Sequence, residues 1–390
     1  MDFNKKLENY ADIVINMGIH VAKDQPLVIN ADVRDADFVE MLVKKAYEKG
    51  ASEVMVEWSH TEIKKYYYEH VSEEVLTTPH PWLKEKFQAL VDMNAAYLSL
   101  RRIPYKSNKD IDPAIMRKEM MAMSDVTKIR RDKMSKALRN WCLVQVPDEE
   151  WAEVVFPELE QEEALEKLWD QVFTIMRADQ EDPIGAWKDH AKTLKEMKDK
   201  LNDLRFDSLH FSSKTCDLTI DLVKNHNWQG GEKENEFGQP FIANMPTEEV
   251  HTMPEKTGVN GWVENTKPLY MNGKEVDGFK INFKDGHVDS YTAKVGEEVL
   301  KEHFSTDEGA NYLGEVAIVP HSSPISQSGI VFKSTLYDEN ASCHLAFGSA
   351  YPSSLQGGKE MDEEALIKAG ANRSLTHVDF MIGSADLNIY

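Results

Sequence analysis

The spacing of apolar and polar positions divides the chain into two stretches of different texture. In the first, short apolar runs alternate with helical periodicities. Residues 26–29 (PLVI), 53–58 (EVMVEW), 96–100 and 143–147 read as strands. Helical patterns cover 37–48, 62–70, 83–92, 113–139, 161–177 and 186–201, and residues 1–18 read as an amphipathic helix. Strands alternating with helices predict βαβ units and a mainly parallel sheet. In the second stretch, 207–212, 217–223 and 278–283 are β-rich, and turn signals at Gln229-Gly230-Gly231, Asn272-Gly273 and Asp285-Gly286 separate such runs. A short helix at 294–304 and strongly apolar strands at 314–320 and 377–382 follow. The expected fold is α/β: an N-terminal α/β domain over 1–205 with mainly parallel sheet, then an α+β domain over 206–390 with mixed or antiparallel sheet.

Composition narrows the class. With 390 residues, 41% apolar and 29% charged, the chain has the make-up of a soluble globular protein with room for two domains. No run approaches the ~18 consecutive apolar residues of a membrane span. The N-terminus lacks the basic, apolar and small-residue regions of a signal peptide. Cys142, Cys216 and Cys343 are too few and too scattered for a disulfide framework or a cysteine-type zinc site, so a reducing cytoplasm is the expected setting. The net charge of −22 argues against a nucleic-acid partner. The basic run 128–136 lies on a helical pattern carrying both signs and reads as a solvated face.

Familiar catalytic signatures are missing. The chain has no His-Glu-x-x-His helix, Gly-x-Ser-x-Gly elbow, phosphate-binding P-loop or Gly-x-Gly-x-x-Gly turn. What stands out is polar chemistry in apolar company. In SLTHVDFMIG (374–383), a strand puts His377 and Asp379 on one face and Val378, Phe380 and Ile382 on the other. Buried together, the two need partners: a divalent cation accepts both, and a hydrogen-bonded core pair is the alternative. Glu315 sits inside LGEVAIVP (313–320), where a carboxylate must be ion-paired, protonated or metal-bound. Glu248 and Glu249 follow Pro246-Thr247; with Thr247 as N-cap they would instead open a helix. YDENASCHLAFGSAY (337–351) gathers Asp338, Glu339, His344 and Tyr351 among small residues. His344 and Tyr351 share a face if this segment is helical and oppose each other if it is extended. Cys343 is read as a buried structural cysteine. The other histidines, His20, His60, His70 and His80 among them, lack such settings and are read as ordinary. Carboxylates and imidazoles drawn from separate segments of one domain are the mixture that a hydrolytic two-metal centre requires.

At these residues the chain resembles the thermophilic metallopeptidase family that includes aminopeptidase T, aminopeptidase S and PepS. PTEEVHTMPE, GEVAIVP, LYDENASCHLAFGSAY and HVDFMIGS carry the likeness, and their order and spacing extend it over essentially the whole chain. The resemblance implies metal binding by Glu249, Glu315, His344, His377 and Asp379, with Glu339 as a further ligand or base and Tyr351 as the active-site tyrosine. It also implies two divalent ions per chain (zinc, cobalt or manganese), peptides with a free N-terminus as substrates, and a homodimer. The mechanism expected from it has Glu315 or Asp379 bridging the cations, an activated water attacking the peptide, Tyr351 donating to the oxyanion, and Glu249 or Glu339 moving the proton. One departure concerns the C-terminus: family members usually continue beyond the His-x-Asp strand, whereas this chain stops at Tyr390. Three other readings remain open at this point: a metal-dependent phosphoesterase, a cysteine or serine hydrolase using Cys343 and His344, and a non-catalytic metal-binding or scaffold protein.

Overall fold

The computed structural model describes residues 1–106, 111–271 and 274–390; the turn expected at Asn272 and Gly273 lies outside them. The chain forms two compact units, one of Met1–His190 with Glu232–Pro246 and one of Ala191–Gly231 with Thr247–Tyr390.

The first unit is built on a five-stranded parallel sheet in the order Asn244–Met245, Trp141–Gln145, Ala96–Arg101, Leu27–Asp32, Val54–Ser59. The helix Ala36–Lys49 joins the last two strands and buries Phe38, Val39, Leu42 and Ala46, a spacing that gives one apolar stripe. It stops at Gly50, whose φ of 105° is the left-handed conformation that terminates helices. The strand expected at 143–147 begins instead at Trp141, paired with Tyr97, and ends before Pro147, which has no N–H to donate. The edge strand Asn244–Met245 had no sequence signal, because two residues are too few to show a period. Among the described residues no helix is long and apolar enough to cross a membrane.

The second unit holds two larger antiparallel sheets. One orders His287–Thr292, Lys280–Lys284, Pro254–Glu264, Cys216–Leu222, Ser208–Ser213 and Asn388–Ile389. The other orders His377–Met381, His344–Gly348, Leu313–Ile318, Val250–Thr252 and Gln229–Gly230. Phe211, Ile220, Ile281 and Phe283 from the first meet Val250, Val316, Leu345, Phe347 and Phe380 from the second in a single apolar core. Phe347 and Phe380 stack there with centroids 4.4 Å apart. One face of the five-stranded sheet is therefore fully committed to packing, and the other is free for chemistry.

Candidate metal centre

Strand alternation decides what lies on that second face. With Val250, Val316, Leu345, Phe347 and Phe380 turned to the core, period two leaves His251, Glu315, Ala317, His344, Ala346, Gly348, His377 and Asp379 on the opposite side. Leu313 also points to the core, which strict alternation with Glu315 would forbid. A register shift between Leu313 and Glu315, at Gly314, re-aims the strand and resolves the conflict. Antiparallel register then sets the residues side by side: Ala317 opposite His344, Ala346 opposite Asp379, Gly348 opposite His377. The small residues keep the middle of the face open. Gly348 has φ of 96°, and a Cβ there would lie 2.2 Å from the Thr376 carbonyl oxygen, so no other residue fits where the strand turns toward Tyr351.

The ligand-capable atoms of Glu249, Glu315 and His344 lie within 4.8 Å of one another, as do those of Glu315, His377 and Asp379. Glu315 belongs to both groups. His344 Nε2 is 2.9 Å from Glu249 Oε2 and 3.7 Å from Glu315 Oε1. His377 Nε2 is 3.4 Å from Asp379 Oδ1 and 4.0 Å from Glu315 Oε2.

The other ring nitrogens show which tautomer each imidazole adopts. His377 Nδ1–H donates to the Ser349 carbonyl at 2.8 Å and His344 Nδ1–H to that of Ser342 at 3.2 Å. A carbonyl only accepts, so Nδ1 carries the proton, and in the neutral ring Nε2 turns a lone pair toward the carboxylates. Glu249 Oε2 and Asp379 Oδ1 are buried and make no aligned hydrogen bond, although an imidazole stands close to each. Lone pairs facing lone pairs in a buried site repel unless a proton or a metal ion lies between them, and metal-ligating histidines are characteristically held through the second nitrogen in this way. The donor set therefore fits divalent cations.

Without a cation the same carboxylates favour a proton on each Nε2, the position a divalent ion would take. Burial alone would raise the Glu315 carboxyl, but His251, then His344 and His377, hold it well below the usual carboxylate range. Burial would lower both imidazoles, yet Glu249 and Glu315 lift His344 well above its ordinary value, and Asp379 with Glu315 pushes His377 up to about 9. Burial, Asp379 and Glu249 drive the Glu339 carboxyl well above its usual range. Tyr351 is likewise raised well above 10 by burial and by Glu315, Asp379, Glu339 and Glu249. Among the described residues no lysine or arginine pairs with Glu249, Glu315, Glu339 or Asp379.

Each residue singled out in the sequence has a definite place. Residues 247–249 form no helix and lead straight into the Val250–Thr252 strand, so the N-cap alternative at Thr247 is not realised. Glu249 reaches the cluster, while the Glu248 backbone N–H donates to Asn340 Oδ1 at 2.7 Å. The segment 337–351 is neither wholly helical nor wholly extended: a turn over Glu339–Ala341 precedes the strand His344–Gly348. Glu339 is buried beside the cluster without entering either ligand group. The Tyr351 ring lies 4.8 Å from that of His377. Asp338 turns away and accepts from the Phe332 and Ser334 backbone N–H groups. Cys343 faces the apolar core, its thiol donating to the Val319 carbonyl at 3.7 Å and pushed up by burial, which leaves it unfit as a nucleophile. His251 was missed. Its strand, Val250–Thr252, is too short to show a period in the sequence.

Sequence and structure comparisons point one way. The description "Thermophilic metalloprotease (M29)" matches residues 3–390. Aminopeptidase AmpS of Bacillus subtilis is 42% identical over 396 residues, covering 99% of this chain and 94% of that protein. Aminopeptidase T of Thermus thermophilus is 38% identical over 387 residues, again covering 99% and 94%. The structure of wild-type AmpT from Thermus thermophilus superposes with a TM-score of 0.92 at 36% identity, covering 100% of this chain and 95% of that one.

Proposed function

Since this chain belongs to the thermophilic metalloprotease (M29) family, we propose that it is an aminopeptidase releasing N-terminal residues from peptides at a two-cation centre. The cations would be held by Glu249, Glu315, Glu339, His344, His377 and Asp379. The observation that carries this reading is the pair of ligand groups sharing Glu315, each with an imidazole whose Nε2 faces unpartnered carboxylate oxygens. Charge is compatible with this: the carboxylates crowd together with no lysine or arginine partner among the described residues, and divalent ions would displace the protons that His344, His377 and Glu339 otherwise retain. Carboxylates and imidazoles accept zinc, cobalt or manganese alike.

Bound cations would lower the pKa of water toward ~7 and polarise a carbonyl oxygen. The chain's own groups do the rest. Tyr351, kept protonated by burial and by the carboxylates around it, donates its hydroxyl to the oxygen that gains charge as the scissile carbonyl is attacked. A carboxylate of the cluster, Glu249 or Glu339, carries the proton from the attacking water to the leaving amine. Recognition of the substrate's free α-amine at such a centre would favour exopeptidase over endopeptidase action. Three free, buried cysteines support a reducing, cytoplasmic setting; pairing into a homodimer rests on the family resemblance.

The decisive experiment strips the protein with a chelator and assays an aminoacyl anilide, its N-acetylated form and an aryl phosphate before and after adding back zinc, cobalt or manganese. Hydrolysis of the free-amine anilide alone, restored by metal, with two ions per chain by elemental analysis, is expected. Cleavage of the phosphate alone would establish a phosphoesterase, and no turnover with any metal a binding protein.

A further inference from the structure

One more buried imidazole touches the cluster, from outside both ligand groups. His251 is the middle residue of the Val250–Thr252 strand and 4% exposed. Its register partner on the next strand is Ala317, whose methyl group leaves the imidazole room to reach along that strand to Glu315. His251 Nδ1 stands 2.9 Å from Glu315 Oε2, a close contact whose angle falls short of an aligned hydrogen bond. The other oxygen, Oε1, faces His344 at 3.7 Å, while Oε2 faces His377 at 4.0 Å. The His251 ring meets Tyr351 edge-on, centroids 6.1 Å apart.

A glutamate's terminal torsion is broad, so nothing in the side chain itself sets the carboxylate plane. Sharing the two oxygens between two ligand groups needs that plane fixed. We propose that His251 is a positioning residue that sets the plane of the Glu315 carboxylate through Nδ1, presenting one oxygen to each ligand group, and steadies Tyr351 with its ring. Outer partners of this kind alter metal affinity by about 10–100-fold when removed.

This inference rests on the metal reading above, and the test separates the two. Zinc and manganese binding to the chelator-stripped full chain is measured by calorimetry for three substitutions, with the melting temperature of each metal-free protein as folding control. His251→Phe keeps a ring and loses the nitrogen that contacts Glu315. His251→Asn keeps an amide nitrogen near the place of Nδ1, and His251→Gln moves it to the place of Nε2. Expected are about 10–100-fold weaker cation binding for Phe and Gln and recovery of most of it for Asn. Should Phe fail to fold, the Asn–Gln contrast decides alone. Equal affinity in the wild type and the Phe variant, or equal losses in Asn and Gln, would overturn the role of Nδ1. A wild-type chain that binds no cation would instead remove the metal centre and this inference with it.

Discussion

Both units bury acidic side chains, and they neutralise them differently. In the first, Arg102 donates from Nη2 to Asp35 at 2.6 Å, from Nε to both oxygens of the same carboxylate, and from Nη1 to Asp148 at 3.0 Å. The cation is part of the chain and the hydrogen bonds are directed, although burial still pushes the Asp148 carboxyl up, so the pairing offsets desolvation without cancelling it. In the second, among the described residues, Glu249, Glu315, Glu339 and Asp379 have no lysine or arginine partner and gather around His344 and His377, each tied through Nδ1 to a backbone carbonyl. A carboxylate cluster that carries its own guanidinium is a structural device. One that meets only imidazoles, whose protons a metal ion can displace, is a candidate place for a cation from solution.

The strongest way to break this contrast is Glu315→Gln, which takes the shared ligand from both groups. Cation stoichiometry should fall, with activity down by more than about 10³-fold, beyond what one oxyanion donor contributes; elemental analysis and initial rates measure the two. Arg102→Leu is the mirror experiment. It should destabilise the protein by about 3–5 kcal/mol in urea unfolding, because Asp35 and Asp148 stay buried without their cation, while cation affinity in the second unit is unchanged. Equal metal dependence of stability at both places would dissolve the distinction. Tyr351→Phe removes a hydroxyl and no ligand, so kcat should drop about 10²–10³-fold with cation content retained. Unchanged kcat would take Tyr351 out of the reaction.

The smallest effect concerns an imidazole with no carboxylate cluster around it. His303 lies against Phe304 and Phe347, and burial lowers it from 6.5 to about 4, against Asp307 and a backbone hydrogen bond that raise it. His377, ringed by carboxylates, is pushed the other way, up to about 9. As the pH falls below 6.5, His303 takes up a proton in the unfolded chain and stays neutral in the folded one until about 4, so stability declines across that window. The loss attributable to this residue is at most about 3 kcal/mol, at ~1.4 kcal/mol per pH unit. His303→Leu should flatten unfolding free energy between these limits, measured by urea titration at several pH values.

Much of the framework was legible because it depends on local periodicity. The parallel strands of the first unit are short apolar runs between helices, and they appear close to where the alternation put them. The shared face of His377 and Asp379 follows from period two alone, and Glu315 stood out as a charge amid apolar neighbours. Other features gave no such signal. The Pro254–Glu264 strand, which runs through the middle of the six-stranded sheet, is broken in sequence by Gly258 and Gly261 and by a register shift between Pro254 and Val259. His251 sits on a strand of three residues, too short to display a period. Segment Glu232–Pro246 returns to the first unit and adds its edge strand through two residues.

By itself, then, the order of residues determined the class of each unit, the chemical kinds of ligand available and the face each would occupy on its own strand. Only the tertiary structure decided that those faces coincide. Antiparallel pairing at one register, with a bulge at Gly314, is what sets Glu315 between His344 and His377 and brings His251 to its Oε2. A slip of one residue would turn the same side chains into the core. Side-chain alternation is a property of neighbouring residues. Register and convergence are properties of strands far apart in the chain, held together by the apolar packing on the opposite side of the sheet.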